Sequence, residues 1–235
     1  DTFEKVASFL EKLKGFSALK VVGVMGYDAQ IAGIGDQYNG ASGKVKSLLM
    51  KGLKGKSMKS LQSFRQQAVA LVKAFHDVGF VNGGGSGSMQ LTAAQREVTE
   101  ITVGSAFFAP ALFDHYESLT LQPAAGFALR IVRKFSEDTF VLQGGGYIAS
   151  GAIGKDRLPR FMESERFSFL TLEGAGEVQS PIVDRERKLQ IGDTVYMRHA
   201  KAGELCERFK ALQCFHAGAY VGSFSTYRGD GQCFL

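Results

Sequence analysis

The sequence predicts an α/β domain followed by an all-β domain. Three observations carry that prediction. Up to about residue 119, apolar stripes at helical spacing alternate with short apolar runs. Beyond about Thr120, short strands separated by Gly, Asp and Pro turns take over. Within the first of these regions lies Val81-Asn82-Gly83-Gly84-Gly85-Ser86-Gly87-Ser88, a stretch of almost bare backbone directly after an apolar run. The expected domains are 1–119 and 120–235, divided by a change of period and not by a disordered linker.

The chain opens inside a helical pattern, with Phe3, Val6, Phe9, Leu10 and Leu13 on one face up to about Gly15. A strong helix with so little before it leads to the expectation of a piece of a longer protein. Leu19–Met25 reads as a strand apolar on both faces, as in a parallel sheet covered by helices. Loops after such strands build sites, so Tyr27, Asp28 and Gln30 are candidates by position. The plainer alternative makes Tyr27 a rim residue and the other two turn caps.

Residues 44–59 hold Lys44, Lys46, Lys51, Lys54, Lys56 and Lys59 without an acid. This reads as a solvated, partly mobile helix face; an arm over an anionic site is the sharper alternative. No aromatic side chain is interleaved, which disfavours nucleic acid. Ser57 is expected to cap a helix running to Val78, with Leu61, Phe64, Ala68, Leu71, Val72 and Phe75 as its stripe and His76 structural. Phe80-Val81 then leads into the glycine run, and Glu100–Phe108 reads as another strand, followed by a short helix or turn at Pro110–Tyr116. This alternation fits half of a (β/α)8 barrel. The second domain is expected to be a sandwich or barrel, with strands near 128–134, 139–142, 167–172, 194–197 and 219–224.

Net charge is +5 and 45% of residues are hydrophobic, which suits a globular protein and either an anionic small molecule or weak nucleic-acid affinity, without choosing between them. No apolar run approaches a membrane span and the N-terminus is unlike a signal peptide, so no membrane is expected. Cys206, Cys214 and Cys233 are odd in number and lack paired spacing, which fits reduced thiols and a cytoplasmic location.

Four glycines and two serines at 83–88 expose backbone N–H groups rather than pack, which suits a phosphate. The run lacks the Gly-Lys-Ser/Thr ending of a P-loop and an acidic residue about 20 positions on. What remains is a small phosphorylated cofactor held by backbone amides and the Ser86 and Ser88 hydroxyls. A flexible linker is the alternative; the preceding strand argues against it. A second glycine cluster occupies Gln143–Gly151. In Met197–Glu207, His199 with Glu204 or Cys206 could be read as metal ligands, but the spacing matches no strong zinc pattern. A turn with a satisfied histidine is the simpler reading.

Several of these stretches together resemble one family. They are Gly83–Phe108, Gly-Gly-Gly-Tyr-Ile-Ala-Ser-Gly at 144–151, Glu173–Gln179, and His-Ala-Lys-Ala-Gly-Glu-Leu-Cys-Glu-Arg-Phe at 199–209. They look like pyridoxal-phosphate enzymes of the alanine-racemase fold, in the D-threonine aldolase and D-serine dehydratase branch, near the bacterial amino acid deaminase/aldolase members. The resemblance implies the C-terminal half of a (β/α)8 barrel that binds pyridoxal 5′-phosphate, then a β domain. Gly84, Gly85, Ser86 and Gly87 match the phosphate loop, and Tyr27 matches a position beside the pyridine ring. It further implies a lyase acting on D-amino acids with a β-hydroxyl, by deamination or aldol cleavage, working as a homodimer.

Two departures stand out. The family's Schiff-base lysine lies early in the barrel, and no lysine here sits in that context; the missing N-terminal barrel half is an expected partner, and this chain alone is expected to be inactive. At the metal position His199 is kept but Lys201 replaces the second ligand, and an ammonium cannot ligate. No metal is therefore expected; His199 and Lys201 are instead read as catalytic, with the Lys201 charge polarising the substrate's β-hydroxyl or carboxylate. The alternative is a non-catalytic anion-binding module or pseudoenzyme.

Overall fold

Three parallel strands run in sequence order through the first part of the chain: β1 (Gly23–Tyr27), β2 (Phe80–Gly84) and β3 (Glu100–Ile101). In this computed structural model Gly23 pairs with Phe80 and Tyr27 with Gly84, while Asn82 and Gly83 pair with Glu100 and Ile101. The structure describes residues 2–38, 40–151 and 154–232; Cys233 lies outside them, as does the side chain of Gln30. The chain divides into two units, Asp1–Ala106 with His115–Thr120, and Phe107–Asp114 with Leu121–Leu235.

In the first unit α1 (Phe3–Leu13) is capped by the Thr2 hydroxyl, which accepts the Lys5 N–H at 3.4 Å. Its Phe3 ring stacks on Phe64 at 4.8 Å. The strand after it begins at Gly23, not at Leu19, and it is not covered on both faces: Met25 is 73% exposed and Tyr27 62%. The apolar character of Val21–Met25 was read as double burial. In fact β1 is an edge strand, and Met25 and Tyr27 share its open face.

The helix expected from Ser57 starts sixteen residues earlier. α3 spans Ala41–Phe75 without a break (35 residues), so Ser57 caps nothing. Local propensity pointed to a cap, but tertiary ties hold the earlier turns. Buried Lys54 pairs with Asp36 at 2.8 Å and lies 4.3 Å from the centre of the Tyr116 ring, and Lys51 pairs with Glu117. Burial would raise the Asp36 carboxyl, but hydrogen bonds from Lys54 and the Glu117 N–H outweigh it and hold the carboxyl below its usual range. The basic segment is therefore helical and partly anchored. The strand expected over Glu100–Phe108 is two residues long and gives way to a 3-10 turn at Ser105–Phe108.

The second unit is built on a six-stranded antiparallel sheet. Its strands are β4 (Phe127–Lys134), β5 (Thr139–Gln143), β6 (Arg160–Phe161), β7 (Phe167–Phe169), β8 (Gln179–Asp184) and β9 (Thr194–Arg198), in the order β6-β9-β4-β5-β8-β7. The edge strands sit at opposite ends of that order, yet Phe161 meets Phe167 and Phe169 at 5.9 and 4.6 Å. The sheet therefore curls until its ends face each other, a nearly closed barrel. Alternate residues Phe127, Leu129 and Ile131 point into its core with Phe140, Leu142, Ile182 and Met197. Each such burial stabilises by roughly 1.5–3 kcal/mol. A short helix α5 (Ala202–Arg208) and a hairpin, β10 (Ala211–His216) with β11 (Ala219–Ser225), complete the unit.

Asp184, fully buried at the end of β8, fixes the following turn. It accepts a two-pronged pair from Arg166 at 2.9 and 3.1 Å and the N–H groups of Glu186, Lys188 and Leu189. Burial alone would raise its carboxyl; these donors hold it far below the usual range.

Candidate active site

The glycine run leaves β2 as a buried loop between two others. A left-handed backbone at Gly84 (φ +103°) makes the turn, a conformation that a side chain disfavours. A Cβ added at Gly85 would lie 2.6 Å from the Ala32 Cβ and 2.8 Å from the Tyr27 ring; one at Gly87 would strike the Ala32 carbonyl and the Tyr116 ring. The expectation that these glycines serve no packing is thus corrected. They let the loop press against α2 (Ala29–Ala32), whose Ala32 carbonyl also accepts the Tyr116 hydroxyl at 2.9 Å.

Donors and acceptors of this loop are used unequally. The Gly83 carbonyl accepts the Thr102 N–H at 2.9 Å, that of Gly84 the Asp28 N–H at 3.3 Å and that of Gly85 the Ser88 N–H at 3.0 Å. The Ser86 hydroxyl oxygen accepts the Ala106 N–H at 3.0 Å. The N–H groups of Gly85, Ser86 and Gly87 have no acceptor among the described residues. Three successive amides without an acceptor in a buried loop are donors of the kind an anion can take, and the Ser86 hydroxyl is used only as an acceptor among the described residues.

Ser88 differs from the reading that paired it with Ser86. Its hydroxyl donates at 2.9 Å to Asp28, which also takes the Thr92 hydroxyl and the Arg65 guanidinium. Asp28 is fully buried and makes no cap bond to α2. It supports the loop from behind rather than facing a ligand. Arg65 was missed, although its place beside the apolar stripe of α3, four residues after Leu61, was a usable signal for a buried, paired arginine.

Tyr27 ends β1 with its ring against Gly85. It lines a cleft of about 690 Å³ together with Ala29 and, from α3, Lys56, Ser60 and Phe64. Tyr27 thus adjoins Gly84 in the sheet and Gly85 through its ring, while the glycine run itself is not among the residues that line this cleft.

His199 and Lys201 belong to the second unit. His199 closes β9 and is buried, with its ring edge-on to Phe108 at 6.5 Å. Neither ring nitrogen has a hydrogen-bond partner among the described residues. Burial, with the Arg198 charge adding to it, pulls its pKa down to about 4. The Ala125 backbone opposes that shift without reaching hydrogen-bond geometry. The imidazole is neutral at pH 7.

Lys201 precedes α5 and donates to the Ser150 hydroxyl at 2.9 Å and the Ser150 carbonyl at 3.3 Å. The Ser150 N–H in turn donates to Glu204 at 2.7 Å. Burial raises the Glu204 carboxyl, but the Ser150 hydrogen bonds prevail and hold it below its usual range. Burial pushes the Cys206 thiol up, away from reactivity. Among the described residues no three His, Cys, Asp or Glu side chains form a metal site. The donor set at His199 and Lys201 does not fit one either. A cleft of about 570 Å³ in the same unit, between Phe108, Phe127, Phe209 and Leu212, has no charged side chain in its walls.

No protein-family model matches the sequence, and no curated protein matches it in sequence. Solved structures do match in fold. A D-threonine aldolase from Filomicrobium marinum superposes with a TM-score of 0.75 at 13% identity, over 95% of this chain and 57% of that one. The D-threo-3-hydroxyaspartate dehydratase of Delftia sp. HT23 gives 0.61 at 12% identity, over 94% and 59%. An alanine racemase from Clostridium difficile 630 gives 0.53 at 12% identity, over 96% and 61%. In fold, the chain is similar to part of these alanine-racemase-fold proteins. It spans less than two thirds of the length of these relatives.

Proposed function

We propose that this chain is the cofactor-phosphate and β-domain portion of a pyridoxal 5′-phosphate-dependent lyase acting on D-amino acids with a β-hydroxyl. The observation that carries it is the run of unspent amides at Gly85, Ser86 and Gly87 in a chain similar in fold to alanine-racemase-fold proteins. These amides and the Ser86 hydroxyl would hold the phosphate, and Tyr27, ring against Gly85, would stand beside the cofactor ring. Among the described residues no helix is long and apolar enough to cross a membrane.

The three parallel strands read as part of a (β/α)8 barrel, with the open face carrying Met25 and Tyr27 turned to its interior. The rest of the barrel, with its lysine, is the proposed partner, and the working form is proposed to be a homodimer in the cytoplasm.

When bound, pyridoxal phosphate withdraws the electrons released at the substrate α-carbon. The remaining work falls to side chains. Two of the three Lys201 donors are spent on Ser150, which orients the ammonium and leaves one N–H for the β-hydroxyl or carboxylate of the substrate. His199, neutral at pH 7, can accept a proton at its one unprotonated ring nitrogen. Loss of the β-hydroxyl gives deamination, whereas cleavage of the Cα–Cβ bond gives an aldehyde and a shortened amino acid.

The test uses the whole protein, loaded with pyridoxal phosphate and supplied with D-serine, D-threonine and their L-isomers. Release of ammonia or of an aldehyde from the D-isomers alone supports the proposal. Cofactor binding without turnover of either set identifies a non-catalytic binding module instead.

A further inference from the structure

We propose that Asp28 is a positioning residue for the anion cradle: with Arg65 it clamps the glycine loop from behind, through Ser88 and Thr92, so that the three unspent amides stay aimed at a phosphate. The proposal rests on the cradle reading above. Its basis is a buried polar cluster with no contact to the open side of the loop. Asp28, Arg65, Ser88, Thr92 and Gln95 are all at most 4% exposed. One Asp28 oxygen takes both hydroxyls, Ser88 Oγ at 2.9 Å and Thr92 Oγ1; the other takes Arg65. Arg65 also reaches the Gly26 carbonyl at 3.4 Å and Gln95, whose amide contacts Met58 Sδ at 3.1 Å. Four segments thereby converge on one carboxylate: the end of β1, the middle of α3, the end of the glycine loop and α4 (Met89–Ala93).

The direction of the bonds gives the cluster its function. Ser88 is the hinge: its N–H closes the loop on the Gly85 carbonyl and its hydroxyl fastens that corner to Asp28. Asp28 contributes its own N–H to the Gly84 carbonyl. The clamp takes the Gly84 and Gly85 carbonyls, and the Gly85, Ser86 and Gly87 N–H groups are left over among the described residues. A bare carboxylate under an anion site would repel the anion. Arg65 cancels that charge, so the clamp gives geometry without a net field.

Two readings of the cluster predict opposite signs. If its effect on the anion were electrostatic, Asp28→Asn would expose the Arg65 charge and tighten phosphate binding. If it positions the loop, the charge-neutral substitutions Ser88→Ala and Thr92→Val, and Asp28→Asn as well, all weaken it. The experiment measures the affinity of the wild-type chain and the three variants for inorganic phosphate, pyridoxal phosphate and pyridoxal, with thermal unfolding as the control. Positioning predicts about tenfold weaker binding of both phosphate-bearing probes in each variant, with pyridoxal binding unchanged. Equal phosphate affinity in Ser88→Ala and Thr92→Val with lowered melting temperatures, or tighter binding in Asp28→Asn, overturns it. A wild-type chain that binds neither phosphate nor pyridoxal phosphate refutes the cradle reading itself.

Discussion

Two glycine triplets in this chain look alike as sequence and sit in different surroundings. The Gly83, Gly84 and Gly85 carbonyls are taken, while the amides of Gly85, Ser86 and Gly87 have no acceptor among the described residues. In the run beginning at Gly144 several donors are spent internally, although the Gly145 and Gly146 N–H groups, like those of Gly85 to Gly87, have no acceptor among the described residues. The Gly144 N–H goes to Val178 at 2.7 Å, that of Tyr147 to Gly145 at 2.7 Å, that of Ala149 to Arg157 at 2.9 Å and that of Ser150 to Glu204. The second triplet is there for close approach. A Cβ at Gly145 would meet Ser180 Oγ at 2.8 Å, and one at Gly146 the Gly176–Glu177 backbone at 2.7–2.8 Å. A glycine run marks a close approach of backbone; its surroundings decide whether the approach is to protein or to a ligand.

The largest effect should come from the packed triplet. Gly146→Val drives a side chain into main chain that cannot yield. We expect about 3 kcal/mol of destabilisation in urea unfolding of the second unit, with phosphate affinity unchanged. A stable Gly146→Val protein would show the second run to be as open as the first.

A smaller effect separates the units by pH. His199 has a pKa near 4 when folded and about 6.5 when unfolded, so the unfolded chain binds the extra proton as pH falls through that window. Stability should be fully present above about pH 6.5 and drop by about 2 kcal/mol on acidification towards about pH 4. His199→Gln should flatten that slope, as read by unfolding curves at several pH values. A wild-type slope retained in the variant would assign it to other groups.

The legible parts of the fold were those set by local pattern. β4 and β9 follow the alternation of their own residues, and β5 follows its apolar run. β8 was hidden because Pro181 interrupts its run, as proline does in strands; its carbonyl nonetheless accepts the Leu170 N–H at 3.1 Å. The start of α3 was hidden because Gly43, Gly52 and Gly55 weaken helix propensity, while the Lys54–Asp36 and Lys51–Glu117 pairs that hold it are long-range.

At the site, Gly84 to Gly87 stood out by composition and Tyr27 by its place after a strand. The role of Asp28 was not readable, because its partners are 37, 60 and 64 residues away. Nor does spacing reveal that the Ser86 hydroxyl accepts the Ala106 N–H while that of Ser88 donates to Asp28.

The most direct measurement is a phosphate titration followed by amide resonances in a proton–nitrogen correlation spectrum of the chain. The account predicts downfield shifts of the Gly85, Ser86 and Gly87 amides, saturating together, with Gly144, Gly145 and Gly146 unmoved. Unmoved resonances at Gly85 to Gly87, or shifts at the second triplet instead, would contradict it.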